Sequence, residues 1–387
     1  MNNRQKLVQK QFLNNEQRVI KRLDQVYKQS LKDITAQIEH LDFSIGKLQE
    51  EYDWLDPKDP KRAQVKSQIQ SKIYQKQYQE QLKKQVGGIV DQMTVKQYTT
   101  IAEYLDDCYT DGFIGTIFDA HGQGVPFAIP LDQEAMVRAV QLDSKISKGL
   151  YTRLGEDVNL LKRKITAQVS RGIATGMTFP DIAIQLKNAT KIGYNNAIRI
   201  ARTEGHRIQC SGTMAACLKA REKGADVVKQ WDSTLDSKTR ESHVAVDREV
   251  RELDKPFSNG LMYPSDPAGS AAEVINCRCA LLQQARWMLE EVTDPKTGKV
   301  TYRDEGEMEK MNNFTKQIQT FESPEEYDEF KKGFFSKENR KYMDYVTQME
   351  EKYGTKDFAR VLASMSDREY EHFSALAANN PMLNKLS

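Results

Sequence analysis

The chain has 387 residues, of which 39% are hydrophobic and 29% charged, and its formal net charge is +2 at pH 7. This balance is typical of a soluble protein of two or three domains and does not indicate a dedicated nucleic-acid binder. No segment approaches the ~18 apolar residues of a membrane span, and the N-terminus lacks the apolar core of a secretory signal. With five cysteines and no such signal, we expect cytosolic synthesis and no disulfide framework.

The charges are unevenly distributed along the chain. Residues 1–100 contain 18 basic and 12 acidic side chains, a net charge of about +6, whereas residues 301–387 carry about −4. A basic N-terminal arm can neutralise phosphates of double-stranded DNA and release their counterions. The alternative is a solvated helix surface that is rich in Lys and Gln.

The N-terminal segment has the pattern of a long helical hairpin. Apolar residues recur through 20–54, and from Leu31 onward they are spaced alternately by three and four, which is a heptad pattern. Two prolines within 56–60 interrupt this helix, because proline lacks the amide proton and restricts the residue before it. A second Gln/Lys-rich helix then extends to Gly87-Gly88. The pattern predicts a coiled-coil-like antiparallel pair.

Helices also dominate the segment that follows. The loop predicted at 119–130 has two glycines and two prolines, and it contains His121, which we expect at the surface. Residues 132–225 then have the pattern of a run of helices, one of which is capped by Thr178 and another of which ends at Gly224.

From Val227 onward the hydrophobic periodicity falls toward two and turn residues become frequent, which predicts strands. We expect one strand at 227–233, a short helix at 237–247 and a last strand that includes 275–282. After residue 285 a small hairpin is predicted at 293–305. Helices beginning at Ser323 and Ser366 follow, each marked by a capping pattern.

The predicted fold class is therefore mainly α with a small α+β domain. The predicted domains are a helical hairpin arm at 1–118, a central domain at 119–285 with its α+β core at about 226–285, and an acidic helical C-terminal module at 286–387.

Polar residues between 202 and 279 allow three interpretations, and the first is a metal site. His243, Cys277 and Cys279 offer an imidazole and two thiolates, which are the soft ligands that zinc prefers. Asp236, His206 or water can supply a fourth ligand. In a strand, cysteines two positions apart point to the same face, which permits joint ligation and equally permits burial in a core.

The second interpretation is catalysis by a cysteine nucleophile with His243 as its base, which requires the two side chains within hydrogen-bond reach. The sequence contains no phosphate-binding glycine loop, no HExxH and no paired-carboxylate motif. The deaminase pattern H-x-E followed by C-x-x-C is also absent.

The third interpretation is a structural polar network. The arginines can hold carboxylates bidentately, with Arg202 and Arg240 facing Glu204 and Asp236. Trp231 would pack beneath them, and Asp236 with its neighbours suits a helix N-terminus. The predicted members are Arg202, Glu204, Trp231, Asp236, Arg240 and Asn276.

Taken in order, these segments resemble a known family. The chain has IARTEGHR, then GADVVKQWDSTLDSKTRESHVAVD, then PFSNGLMYPSDPAGSAAEVINCRCALL. This succession is similar to the Mu F-like domain of minor head, or head morphogenesis, proteins of tailed bacteriophages, and it covers roughly residues 150–285. The chain departs from the family pattern at Asp247-Arg248, where Asp-Gly is frequent, which affects the details of one turn.

The resemblance implies a structural minor capsid protein at the portal vertex inside the phage head, without enzymatic activity of its own. Its implied partners are the portal protein, a capsid or scaffolding protein, and packaged or ejected DNA. The implied location is the virion, with host cytoplasm during assembly. The alternative from another class is an enzyme or toxin-like effector whose active or zinc site contains His243, Cys277, Cys279 and the Arg/Asp cluster, although the C-terminal segment has no evident catalytic motif.

Overall fold

The computed structural model describes residues 1–41, 43–74, 76–124, 129–131, 135–136, 138–139, 160–161, 163–165, 167, 171, 179–286, 289–293, 300–303 and 324–383. The helices in this part of the chain are α1 (Asn3–Leu41), α2 (Phe43–Trp54), α3 (Pro60–Tyr74), α4 (Lys76–Gly122), α5 (Phe179–Glu222), α6 (Glu241–Val244), α7 (Ala271–Val274), α8 (Pro324–Phe334), α9 (Lys337–Tyr353), α10 (Phe358–Ser364) and α11 (Asp367–Ala378). The strands are β1 (Val227–Asp232), β2 (Val250–Arg251), β3 (Ala280–Ala285), β4 (Glu290–Thr293) and β5 (Val300–Arg303).

The predicted class, mainly α with a small α+β domain, is confirmed. β1 is the central strand of an antiparallel sheet with the order β2-β1-β3, and Trp231 lies opposite Leu281 in its register. β4 and β5 form the hairpin predicted near residue 300, whose turn lies outside the described residues. None of the described helices is long and apolar enough to cross a membrane.

Several helix boundaries follow from local sequence. Asp59 accepts a hydrogen bond from the amide of Lys61 at 2.8 Å, and Pro60 occupies the first position of α3, so the prolines restart a helix after a short turn. α5 is followed by Gly224, whose φ of +95° lies in the left-handed region that glycine adopts at little cost. The predicted helix start near Thr178 lies outside the described residues.

Two predicted boundaries are wrong. α4 continues through Gly87-Gly88 to Gly122, because isolated glycines lower helix propensity by only about 1 kcal/mol each and other residues compensate. The loop predicted at 119–130 therefore starts at least three residues later. His121 lies in the last turn of α4 and is buried, with its ring edge against Phe330 at a centroid distance of 5.2 Å.

The chain separates into two compact units built from interleaved segments. The first comprises Met1–Glu16, Tyr104–Ile146 and Arg202–Ser387, and the second Gln17–Glu103 and Ser147–Ala201. The predicted domains are instead consecutive segments of the chain, and this division remains a prediction.

The second unit is a helical assembly held by tyrosine contacts. The hydroxyl of Tyr27 on α1 donates to Gln97 on α4 at 2.9 Å, and the ring of Tyr27 meets that of Tyr194 on α5 edge to face. Arg22 also pairs with Glu103 at 2.7 Å, so α1 and α4 run antiparallel in this unit. Leu23 and Ile34, two positions of the predicted apolar stripe, are buried here.

The first unit places the sheet against α4 and α5. These two helices approach so closely that a Cβ added to Gly112 would overlap the carbonyl oxygen of Gln209, and one added to Gly212 would overlap that of Tyr109. The C-terminal helices pack on the same core, because Tyr327 of α8 is buried against Phe118 at a ring-centroid distance of 5.3 Å.

Candidate functional site

Two short helices lie next to the predicted site residues. His243 lies on α6, which follows β1, whereas Cys277 and Cys279 lie between α7 and β3. The prediction that the cysteines are part of the last strand is therefore wrong. Asn276 lies between α7 and β3 with a φ of 54°, a left-handed conformation that Asn tolerates better than most residues. Its backbone amide donates to the Thr203 hydroxyl at 3.2 Å.

His243, Cys277 and Cys279 converge on one point. The Nδ1 atom of His243 is 3.7 Å from the Sγ of Cys277 and 3.4 Å from the Sγ of Cys279. The three candidate ligand atoms all lie within 4.8 Å of one another. The side chains are almost inaccessible, with exposed fractions of 1%, 4% and 2% respectively.

Two contacts fix the orientation of the His243 ring. Its Nε2 atom is 2.8 Å from a carboxylate oxygen of Glu273, which also accepts a hydrogen bond from the hydroxyl of Ser242 at 2.9 Å. The ring lies edge to face with Trp231 at a centroid distance of 5.1 Å. A carboxylate on Nε2 favours the proton there, which leaves the lone pair of a neutral imidazole on Nδ1, facing the sulfur atoms.

Ser233 connects the tryptophan, the histidine and one cysteine. The indole N–H of Trp231 donates to the Ser233 hydroxyl oxygen at 3.1 Å, and that hydroxyl donates to the carbonyl of His243 at 2.7 Å. The same oxygen is 3.8 Å from the Sγ of Cys279. The hydroxyl thus holds α6 next to the cysteine pair.

The two thiols have shifted pKa values of opposite sign. The Cys277 thiol donates to the sulfur of Cys279, and this hydrogen bond lowers the pKa of Cys279. The same bond, together with burial, raises the pKa of Cys277. Of the two thiols, Cys279 is therefore the more acidic.

His206 lies close to this cluster, but both of its ring nitrogens are engaged elsewhere. Nδ1 is 2.8 Å from the hydroxyl of Ser265, and Nε2 is 2.6 Å from the carbonyl oxygen of Cys279. Burial lowers the pKa of His206 and favours its neutral form. His206 is therefore not available as the fourth metal ligand.

The predicted carboxylate partners of the arginines are not the observed ones. Arg202 pairs with Glu16 at 3.0 Å, and Glu204 pairs with Arg207 one turn along α5 at 2.8 Å. A residue and its neighbour two positions away point to different sides of a helix, so Arg202 and Glu204 do not meet.

Asp236 is bound by Arg278 through both carboxylate oxygens, and this contact lowers the pKa of Asp236. The guanidinium of Arg240 instead donates to the backbone carbonyl of Ile275 at 2.6 Å. Because both carboxylate oxygens of Asp236 bind Arg278, Asp236 is not available as a metal ligand.

A cleft of about 1250 Å³ opens beside the cluster. Its wall includes Cys277 and Ser233 together with the basic side chains of Arg202, Arg240 and Arg278. The cluster thus borders a cleft whose wall combines basic side chains with apolar ones.

Glu273, Ser233 and Arg207 are the site residues that sequence reasoning missed. Glu273 lies four residues before Cys277. A carboxylate this close in sequence to a candidate ligand could have been predicted to contact the histidine of the same site, which here is His243. Arg207 follows Glu204 by three residues, which is a usable local signal for their ion pair, whereas its contact with the Ala139 carbonyl is long-range. No sequence pattern indicates Ser233.

Sequence comparisons indicate the class of protein that this part of the chain resembles. Residues 163–282 match the family model described as Phage Mu protein F like protein. This stretch is similar to the Mu F-like minor head proteins, so the resemblance noted from the sequence is confirmed.

Two curated proteins are similar to the chain. Minor head protein GP7 of Bacillus phage SPP1 is 25% identical over 204 residues, which span 50% of this chain and 65% of GP7. The NAD(+)--arginine ADP-ribosyltransferase EFV of Enterococcus faecalis (strain ATCC 700802 / V583) is 27% identical over 206 residues, which span 51% of this chain and 42% of that protein. The chain thus spans less than two thirds of the length of either relative. No solved structure shows significant similarity to the chain.

Proposed function

We propose that this chain is a structural minor head protein of a tailed phage, a component of the virion associated with the portal vertex inside the head. The observation that carries the proposal is the Mu F-like match over residues 163–282 together with the similarity to a protein named as a minor head protein. The chain assembles in the host cytoplasm before it becomes part of the virion.

The burial of the polar core supports a structural role. The groups with the greatest chemical reactivity, His243, Cys277 and Cys279, have almost no exposed surface, so a substrate cannot reach them without a local opening. Their contacts link α6, α7 and the start of β3, which are short elements with little apolar volume of their own. A network of this kind fixes the packing of a small domain.

Association with the portal can be tested in the phage that encodes the chain. Mass spectrometry of purified virions should find the chain, and heads assembled without the portal protein should lack it, whereas the major capsid protein is present in both. Equal amounts of the chain in heads with and without portal would exclude portal attachment, and its absence from complete virions would exclude the structural role.

Contact with double-stranded DNA is the second part of the proposal. Lys21 and Lys32 are exposed on α1, in the N-terminal region with its net charge of about +6. Because each neutralised phosphate releases counterions, binding through this surface should weaken steeply with salt.

The double variant Lys21→Gln/Lys32→Gln should reduce the slope of log Kd against log salt concentration by about 2, one for each lost phosphate contact. Lys332→Gln/Lys341→Gln is the matched control, since these lysines are exposed on the C-terminal helices α8 and α9. Equal slopes for both variants and the wild type would exclude DNA contact through α1.

The relative named as an ADP-ribosyltransferase supports a second candidate, an enzyme or effector. The match covers only 42% of that protein. We propose that the shared part is the structural domain and that this chain transfers no ADP-ribose. Incubation of the full chain with labelled NAD and an arginine-rich acceptor should give no labelled acceptor, and enzyme-dependent labelling would favour the effector.

A further inference from the structure

The convergence of His243, Cys277 and Cys279 goes beyond a structural polar network. We propose that these three side chains bind one zinc ion, through Nδ1 of His243 and the Sγ atoms of the two cysteines. The site is independent of the proposed role in the head, so either proposal can fail without the other.

The distances between the candidate ligand atoms match a tetrahedral zinc site. Zn–S bonds of about 2.3 Å and Zn–N bonds of about 2.0–2.1 Å place a nitrogen and a sulfur ligand about 3.6 Å apart at the tetrahedral angle. The two Nδ1–Sγ distances, 3.7 Å for Cys277 and 3.4 Å for Cys279, lie on either side of this value. The two nitrogen–sulfur distances are therefore already suitable for joint ligation of one ion.

The surroundings of His243 orient it as metal ligands are usually oriented. A ligating histidine commonly donates its second ring N–H to a carboxylate, which fixes the tautomer and the ring orientation. Glu273 occupies this position at 2.8 Å from Nε2. The lone pair on Nδ1 can accept a proton from only one thiol at a time, whereas a zinc ion bonds the nitrogen and both sulfurs together.

The donor set and its burial favour zinc over harder cations. Two thiolates and an imidazole are soft or borderline ligands, whereas magnesium and calcium prefer oxygen. When zinc binds, two Zn–S bonds and one Zn–N bond form, and the two thiol protons pass to solvent.

The fourth ligand is an oxygen. Among the described residues, the group that could hold a metal ion contains only these three His, Cys, Asp or Glu side chains. The hydroxyl of Ser233 lies 3.8 Å from the Sγ of Cys279, and the cleft beside Cys277 admits water. Either oxygen completes a tetrahedral site with three protein ligands.

Metal analysis of the full-length protein, purified without a polyhistidine tag, tests the site. The wild type should contain close to one zinc ion per chain, whereas Cys277→Ser and Cys279→Ser should contain almost none. Cys217→Ala is the matched control, because Cys217 is equally buried but lies outside the cluster, and it should retain its zinc. A wild type that remains without zinc after dialysis against zinc and removal of the excess would overturn the proposal, as would equal zinc content in all four proteins.

Cobalt substitution in the wild type gives a test that does not depend on folding of the variants. Tetrahedral Co²⁺ with two thiolates should show strong visible d–d bands and a sulfur-to-metal charge-transfer band near the ultraviolet. The pale spectrum of octahedral cobalt, or no bound cobalt, would contradict the site.

Glu273→Ala tests the positioning role of the carboxylate. It should weaken zinc affinity about 10–100-fold in competition with a chelator, since loss of such partners typically has this effect. Glu273→Gln should restore most of the affinity, because its amide oxygen can still accept the Nε2–H. Unchanged affinity in Glu273→Ala would remove the carboxylate from the site.

Discussion

At the scale of single residues, the interior of the first unit contains a carboxylate that joins three distant segments. The Asp119 side chain on α4 accepts hydrogen bonds from Asn2 at 2.6 Å, Gln5 at 2.8 Å, Gln123 at 2.9 Å and Gln283 at 3.2 Å. Burial raises the pKa of Asp119, and the four amide donors oppose that shift. α1, α4 and β3 are therefore connected through one side chain.

Asp119→Ala should lower the free energy of unfolding by about 3–5 kcal/mol, because three buried amide groups and the partly buried amide of Asn2 lose their acceptor at once. Urea denaturation measures this loss. Asp106→Ala on the exposed side of the same helix is the control and should change the stability by less than about 0.5 kcal/mol. Similar values for the two variants would contradict the role of Asp119.

A buried lysine gives the protein a pH-dependent contribution to stability. Lys229 in β1 is fully buried and donates to the carbonyls of Met262 at 2.8 Å and Leu253 at 3.2 Å. Burial lowers its pKa from 10.5 to about 8. The unfolded chain therefore binds more protons than the folded one between these values, so this residue's contribution to stability rises with pH from about 8 to 10.5.

Lys229→Met removes this titration. As the pH rises through that window, the free energy of unfolding of the variant should fall by about 3 kcal/mol relative to that of the wild type, because each unit of pKa shift corresponds to about 1.4 kcal/mol. Denaturation at a series of pH values measures the difference, in which the other titrating groups cancel. A difference that is constant with pH would mean that Lys229 keeps its ordinary pKa.

At the scale of elements, α4 contains glycines in two different environments, one tightly packed and one open. Gly112 lies where α4 meets the backbone of α5 at Gln209, with no room for a methyl group. Nothing lies within 4 Å of a Cβ built on Gly88. The first glycine permits close packing of two helices, whereas the second only weakens its helix.

Gly112→Ala should therefore destabilise the protein by about 1–3 kcal/mol, since backbone atoms cannot move aside without separating the helices. Gly88→Ala should stabilise it by about 0.5–1 kcal/mol through improved helix propensity. Thermal unfolding followed by circular dichroism distinguishes the two directions. A stabilising Gly112→Ala would contradict the close approach of α4 and α5.

At the scale of the whole molecule, segments from both ends of the chain contribute to one unit. Asp111 on α4 is buried and receives hydrogen bonds from Asn15 at 2.7 Å, Tyr327 at 3.2 Å and Lys331 at 2.5 Å. The amide of Phe358 also donates to the carbonyl of Lys223 at the end of α5. The acidic C-terminal helices are therefore packed on the core through polar as well as apolar contacts.

Lys331→Ala should lower the free energy of unfolding by about 3 kcal/mol, because it removes the cation that compensates a buried carboxylate. The neighbouring Lys332→Ala is the matched control, since Lys332 is exposed, and it should have almost no effect. Both can be measured by urea denaturation of the full chain. Equal stability of the two variants would show that the C-terminal helices contribute little to this unit.

Local patterns predicted much of the fold because they report local energetics. Pro60 and the capping box of Ser366 and Glu369 were placed from sequence, and in the structure the Glu369 carboxylate accepts from the Ser366 amide at 2.9 Å. The end of α4 was not predicted, because packing of its last turns against the core overrides its glycines. His121 was misplaced for the same reason.

The order of motifs in the sequence indicated the protein family that this chain resembles, and residue type determined which side chains could bind a soft metal. Only the tertiary structure decided that His243 meets both cysteines and that Glu273 holds its other nitrogen. It also decided which carboxylate each arginine contacts, because these pairings depend on helix faces and on turns between segments far apart in the chain. Local sequence sets the conformation of a segment, whereas the free energy of packing the whole chain selects its neighbours.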